Sequence, residues 1–341
     1  MIKKIGMNRS IGIALVIFVF AVALLYVYYA TSSTNKGTLQ LITNNSTQSL
    51  TVIKYANIQI YDPTYIAYAL GYFKQENITI DFVGSTISGP QAIIAVSTGA
   101  ADAGVSATTS LINAVQAGAN VIGVLDLQTA FNSSPLADWF VLNNSNITTP
   151  QDIKGKTIGL NSVGASFYYA TLVYLSKYGI TANDVYFKVM PLSNIEQALR
   201  SGQIDIGGII DPYSTHAMST GGVRVLFNEY NATGQNQFSL VFFSTNFAKS
   251  HPDVVRRFSI AYIKAVNFSY QHPDQAAEIV ANYTGVNSTY VRSHLYTPNA
   301  MVNMSSIAYW INTLKNYSDT EINVTPGMIG TNQYNPYVSN T

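Results

Sequence analysis

Short apolar runs alternate with segments of helical periodicity along most of this chain, and the alternation occurs twice in the same order. In the first half, strand-like IKYANIQI (Ile53 to Ile60) leads through Asp62-Pro63 into the helical pattern TYIAYALGYFKQ and then into a second strand, ITIDFV (Ile78 to Val83). A turn from Gly84 to Pro90, a helix AIIAVSTG, a short strand ADAGVS and a helix from Thr108 to Ala117 follow. The second half runs strand KTIGL, turn NSVGA, helix SFYYATLVYLSKYG, strand DVYFKV, helix SNIEQALRSG, strand IDIGGI and a helix opening at Pro212. Each half is predicted to be a βαβαβα unit, because strands and helices of these lengths in alternation build parallel sheets covered on both faces. Ligands of such sheets gather at the carboxyl ends of the strands, so two α/β lobes facing each other across a ligand cleft are expected.

The repeat is closest where AVSTGAADAG (Ala95 to Gly104) matches ALRSGQIDIG (Ala198 to Gly207), each with Ala, Gly, Asp and Gly at positions one, five, eight and ten. The pattern predicts a helix stopped by glycine, a turn, an Asp at the mouth of a short buried strand, and a glycine that lets a neighbour approach closely.

The amino terminus breaks the pattern. Ile11 to Ala30 are 20 consecutive uncharged positions, about 30 Å as a helix and enough to cross a bilayer. Lys3, Lys4 and Arg9 precede this run with no comparable basic cluster after it, so residues 1–10 are expected in the cytoplasm and everything after the span outside. An uncleaved anchor is the expectation. A cleaved secretory signal is the rival, although no clean small-x-small site follows Tyr28-Tyr29-Ala30-Thr31. The junction Arg9-Ser10-Ile11 resembles the class III, pilin-like signal of archaeal binding proteins. Residues 31–50 are polar, rich in Ser, Thr and Asn, and read as a flexible tether. Fourteen Asn-x-Ser/Thr triplets occur where composition predicts about five, which adds the expectation of an externally displayed glycoprotein. The acceptor candidates are Asn44, Asn45, Asn77, Asn143, Asn146, Asn231, Asn267, Asn282, Asn287, Asn303 and Asn316; Asn132 and Asn323 are followed by proline just past the triplet and are set apart.

Composition narrows the chemistry. Charged residues are only 10% of 341 and the net charge is +1, so there is no basic field for nucleic acid. Cysteine is absent, which removes disulfides, thiol nucleophiles and thiolate metal sites together. His216, His251, His272 and His294 stand at no metal-ligand spacing, and no phosphate loop, dinucleotide fingerprint or nucleophile elbow is present. No cofactor, metal or catalytic residue is expected.

Several of these segments carry a family likeness. The run Tyr55 to Val83, with Pro63 and the Ala-x-x-x-Gly-Tyr-Phe segment Ala67 to Phe73, resembles the opening of ABC transporter substrate-binding proteins of the nitrate/sulfonate/taurine and thiamine-precursor type. The two AxxxGxxDxG segments, DIKGKTIGL (Asp152 to Leu160), the Asp211-Pro212-Tyr213 corner and HPDVVRRFSIAYIKAV (His251 to Val266) extend the likeness over about Thr51 to Val291. The resemblance implies a two-lobed type II periplasmic-binding-protein fold, with residues 51–137 and 238–341 as one lobe and 138–237 as the other. It also implies a single-subunit extracellular solute receptor that docks on a membrane permease with its ATPase. The solute class would be a small sulfonate, nitrate, taurine or a thiamine-precursor pyrimidine. An enzyme resembling the thiamine-pyrimidine synthases is the alternative on the same scaffold, and would need histidines and iron in the cleft. The tail from Thr297 to Thr341 matches nothing in this pattern.

Both the strand-end rule and the resemblance place the ligand at helix amino ends. The candidates are Asp62, Thr64 and Tyr65 after the first strand; Gly84, Ser85, Thr86 and Gly89 after the second; and Ser106 and Thr108, with Thr109, beyond the third. From the second half come Ser162, Gly164, Ala165, Ser166 and Tyr168 at the long helix, and Asp211 with Tyr213 after IDIGGI. Free backbone N–H groups and hydroxyls at helix starts can bind an oxyanion without Arg or Lys, whereas Asp62 and Asp211 would favour an amino group. For each Ser, Thr or Asp the competing role is that of a plain helix cap.

Overall fold

The computed structural model describes residues 50–338 apart from 87 and 319, with the side chains of Ser85 and Thr86 also outside the description. The expected cytoplasmic segment, membrane span and almost all of the tether lie outside the described residues, as do Asn44 and Asn45. Among the described residues no helix is long and apolar enough to cross a membrane.

Among the described residues, ten strands form two five-stranded sheets. They are β1 (Thr51–Ile58), β2 (Ile78–Thr86), β3 (Ala103–Ala107), β4 (Val121–Thr129), β5 (Ala137–Leu142), β6 (Thr157–Leu160), β7 (Tyr186–Val189), β8 (Ile206–Ile210), β9 (Val223–Asn228) and β10 (Gln237–Ser244). One sheet has the order β2-β1-β3-β10-β4 and the other β7-β6-β8-β5-β9. The repeat seen in the sequence is thus a repeat of topology: β1 pairs in parallel with β2 and β3, as β6 does with β7 and β8. Each sheet is completed by an antiparallel strand arriving from the other half, β10 between β3 and β4, and β5 between β8 and β9. The chain therefore crosses between the sheets twice, after β4 and before β10.

The AxxxGxxDxG pattern has the same physical cause in both copies. Gly99 and Gly202 sit at φ +79° and +72°, ending their helices in the left-handed region that glycine enters without strain. Asp102 Oδ2 accepts from the Lys54 amide in the middle of β1 at 2.9 Å, and Asp205 Oδ2 accepts from the Thr157 amide at the start of β6 at 2.8 Å. The repeated aspartates tie one strand's end to its neighbour. A Cβ on Gly104 would lie 2.9 Å from the Ala56 carbonyl oxygen, so the β1–β3 contact at the sheet centre requires a glycine.

Crossover segments and the carboxy-terminal tail join the halves. Glu229, wholly buried, accepts from the Leu136 and Ala137 amides at 2.5 and 2.8 Å and so clamps the crossover into β5. In the tail, the helix Met304–Tyr317 lies against both: Trp310 Nε1 donates to the Gln237 carbonyl at 2.9 Å and Tyr317 hydroxyl to Ser176 Oγ at 2.7 Å. Trp139, fully buried on β5, stacks on Phe227 at 4.6 Å and anchors the second sheet's core.

Candidate functional site

Between the carboxyl ends of the two sheets lies a small cavity of about 50 Å³. Ile58, Val105, Leu127 and Phe238 line it from the first sheet; Asn161, Ala165, Phe167, Leu192 and Ile210 line it from the second half. Its wall is mostly apolar, and no Asp, Glu, Lys, Arg or His is among the described residues that line it.

Three helices begin at this wall. Gly89, Ala107 and Ala165 line the cavity, and they open or immediately precede the helices Gly89–Ser97, Thr108–Gln116 and Ser166–Ser176. None of the three is capped by the side chain before it: Ser88 makes no capping bond, and Ala107 and Ala165 have no polar side chain to offer. By contrast the helix Pro63–Ala69 is capped by Asp62, whose Oδ1 accepts from the Thr64 amide at 2.8 Å. Uncapped first turns leave N–H groups and the positive end of the helix dipole available to an anion.

Side-chain donors converge on the same space. Ser106 Oγ, Ser110 Oγ and Gln128 Nε2 are buried without a hydrogen-bond partner, and so is Asn161 Oδ1; all four residues line the cavity. Leaving a buried polar atom unpaired costs roughly 1–3 kcal/mol, so four such atoms around one cavity point to a missing partner.

β-bulges bring Gln128 there. Along the β10–β4 ladder Gln237 pairs with Thr129, Ser239 with Gln128 and Leu240 with Asp126, so Phe238 and Leu127 are each an extra residue. Strict alternation would place Asp126 and Gln128 on one face; the extra residue at Leu127 separates them. Gln128 lines the cavity, while Asp126 is buried elsewhere, its Oδ2 accepting from Thr129 Oγ1 at 2.9 Å and the Thr297 amide at 2.7 Å. Burial pushes the Asp126 carboxyl up to about 6.

Contacts across the mouth join the two halves. Asn113 Nδ2 donates to the Gly164 carbonyl at 3.1 Å, Thr109 and Ser166 hydroxyls lie 3.3 Å apart, and Ser166 Oγ donates to the Phe238 carbonyl at 3.0 Å.

Of the residues the sequence singled out, Gly89, Ser106 and Ala165 line the cavity. Others serve structure. Asp62 is a buried cap that also accepts from Tyr55 hydroxyl at 2.8 Å; Thr64 donates to Tyr55 hydroxyl and Tyr65 to the Ile58 carbonyl. Thr108 donates to the Gln237 carbonyl, and Ser162 turns back onto the Val163 carbonyl. Gly84 takes φ +68° at a bulge within β2, Tyr168 packs edge-on against Phe187, and Tyr213 is half-buried outside the cavity wall. Ser85 and Thr86 side chains lie outside the described residues. Asp211 is fully engaged: Oδ1 accepts from the Ser214 and Thr215 hydroxyls, and Oδ2 meets Arg292 at 2.8 and 3.0 Å. Asp211 and Arg292 act in turn on Asp138, whose carboxyl burial pushes up to about 6. The sequence reading does not single out Ser110, Gln128, Asn161 or Ser239: Gln128 and Ser239 lie within strands β4 and β10, whereas Ser110, in the first turn after β3, and Asn161, directly after β6, stand at the same strand ends as the residues it chose. Strand alternation alone could not reveal Gln128, since the bulges reset it.

The sequence profile described as "NMT1/THI5 like" matches residues 60–276, well over half of the chain. The chain belongs to that family. An NMT1/THI5-like chain with this two-sheet α/β architecture shares its fold with periplasmic binding proteins. The crystal structure of the periplasmic aliphatic sulphonate binding protein SsuA from Escherichia coli superposes with a TM-score of 0.66 at 20% identity, covering 78% of this chain and 86% of that one. Among curated relatives, a putative aliphatic sulfonates-binding protein of Escherichia coli (strain K12) is 26% identical over 61% of this chain and 63% of its own length. One from Bacillus subtilis (strain 168), described in the same words, is 27% identical over 46% of each. The matched regions thus span less than two thirds of either relative.

Proposed function

We propose that this chain is the extracellular solute-binding component of an ABC importer and that its cavity takes a small sulfonate with an uncharged tail. The observation that carries this reading is the convergence of three uncapped helix amino ends with the unpartnered donors of Ser106, Ser110 and Gln128 on a cavity walled by apolar side chains. A sulfonate presents three acceptor oxygens and a single charge spread over them, which dipoles and neutral donors can stabilise without a buried cation. The two relatives described as putative sulfonate-binding proteins support the same class. Taurine fits less well. Asp62 and Asp211, the carboxylates that could have met its amino group, are consumed by Thr64, Tyr55, Ser214, Thr215 and Arg292. A buried ammonium without a carboxylate loses its hydration with nothing in exchange.

The rest of the reading is a tethered receptor, acting as a monomer, that delivers its solute to a permease and ATPase. Residues 11–30 would be the anchor and 31–50 the spacer. Surface glycosylation is part of the proposal, and each of the triplet asparagines among the described residues, Asn77 through Asn323, is exposed. Asparagines outside triplets include buried ones, Asn236 and Asn335. The synthase-like alternative requires cleft histidines, and His216, His251, His272 and His294 all stand outside the cavity wall. Calorimetric titration of the protein with ethanesulfonate, taurine, nitrate and the thiamine-precursor pyrimidine tests the assignment. Ethanesulfonate is expected to bind at least tenfold more tightly than taurine; heat only with the pyrimidine would refute it.

A further inference from the structure

The cavity leaves little room beyond a sulfonate's head. At about 10–15 Å³ for a water-sized group, a cavity of about 50 Å³ takes roughly three to five such groups, a sulfonate head with one or two carbons. Two aromatic residues bound it, Phe238 from β10 and Phe167 from the helix Ser166–Ser176, and their rings meet edge to face at 5.4 Å across the two halves. Phe238 is held from several sides. Trp310 of the tail helix, outside the cavity wall, packs edge-on against its ring at 5.7 Å, Ser166 Oγ donates to the Phe238 carbonyl at 3.0 Å, and the residue is 1% exposed. Phe238 is also the extra residue of the β10 bulge, skipped where Gln237 pairs with Thr129 and Ser239 with Gln128. Consecutive residues Phe238 and Ser239 therefore both reach the cavity, where strict alternation would send one of them away.

We infer that Phe238 is the specificity-determining residue for the length of the ligand's tail, and that the site takes one- and two-carbon sulfonates in preference to longer ones. The inference rests on the sulfonate reading of the same cavity. With Phe238 packed between Trp310 and Phe167, a longer tail is housed only if the halves part. Parting them breaks the Phe167–Phe238 contact together with the bonds from Asn113 to the Gly164 carbonyl and from Ser166 to the Phe238 carbonyl. In a pocket without that wall each further buried methylene would raise affinity about fourfold, or about fifteenfold from ethane- to butanesulfonate. The wall reverses the order.

Calorimetric titration of full-length wild type, Phe238→Leu, Phe238→Ala and Phe73→Leu with ethanesulfonate and butanesulfonate, together with their melting temperatures, provides the test. Wild type is expected to bind ethanesulfonate at least tenfold more tightly than butanesulfonate. Phe238→Leu should bring the two within about threefold, and Phe238→Ala should favour butanesulfonate by at least threefold, because the lost ring leaves space for the tail. Phe73, equally buried but packed on Phe258 away from the cavity, is the control: Phe73→Leu should lower the melting temperature and keep the wild-type ratio. Equal or tighter binding of butanesulfonate by wild type would overturn the inference while the sulfonate reading stands. So would a wild-type ratio retained by both Phe238 variants, or a ratio that Phe73→Leu shifts as far as Phe238→Leu does, since loosened packing anywhere would then suffice. If wild type binds neither compound, the reading of the cavity falls and the inference with it.

Discussion

Replacing Glu229 by Gln should change how stability depends on pH more than it changes stability itself. Burial pushes the Glu229 carboxyl from its ordinary 4.5 up to about 7, against the opposing pull of the Leu136 and Ala137 amides that its two oxygens accept. A carboxyl raised on folding binds a proton more readily in the native than in the unfolded chain, so its contribution is fully present below pH 4.5 and is lost as the pH rises through about 7. At about 1.4 kcal/mol per pH unit, the gap between those two values corresponds to roughly 3 kcal/mol of native-state stability. Glu229→Gln removes that titration and sets an amide N–H against one of the two backbone N–H groups, a pH-independent cost of about 1–3 kcal/mol. Urea unfolding of both proteins at pH 5, 6, 7 and 8 measures the difference. The variant should be clearly weaker at pH 5, and the two should converge towards pH 8 as wild type loses its protonated carboxyl. Parallel curves across this range would show that Glu229 does not titrate where its burial places it, and would remove the argument.

The wild-type protein should itself be most stable near pH 4–5, since burial also raises Asp62, and raises Asp126 and Asp138 to about 6, whereas Asp152 and Asp184, held low by amide donors, lose their contribution only in stronger acid; melts from pH 3 to 8 that peak above pH 7 would contradict this. Gly89→Ala puts a Cβ 2.3 Å from Ser106 Oγ and 3.0 Å from Ser106 Cα, a backbone atom of β3. It should cost about 1–3 kcal/mol of stability and at least tenfold in ethanesulfonate affinity, read by melting and calorimetry together. Asp211→Asn breaks the Arg292 pair without touching the cavity wall, so thermal stability should fall by about 1–3 kcal/mol while affinity stays within threefold; an intact melt with lost binding would return Asp211 to the site. A chain starting at Leu50, the first described residue, should stay in solution in a membrane-flotation assay, and its partition with vesicles would refute the tether.

Order along the chain settled what depends on near neighbours. Hydrophobic period distinguishes helix from strand within a few residues, and glycine at Gly99 and Gly202 ends a helix by its own backbone freedom, so the two βαβαβα halves were legible in the sequence. The repeated Asp-x-Gly was legible as a pattern, though its purpose, a bond from Asp102 to the Lys54 amide and from Asp205 to that of Thr157, was not. Helix starts were legible too, and Gly89, Ser106 and Ala165 reached the cavity for that reason. Which helix start is left uncapped and which is closed was decided by tertiary structure. Arg292 meets Asp211 from 81 positions further along the chain, a pairing that the place of Asp211 after β8 does not reveal. Gln128 and Ser239 stand 111 positions apart and meet only because β10 crosses from the other half into the first sheet, where two bulges set them side by side. Local sequence dictates φ, ψ and periodicity, whereas the partner of a buried polar atom depends on where a distant strand lands, and that is a property of the closed fold.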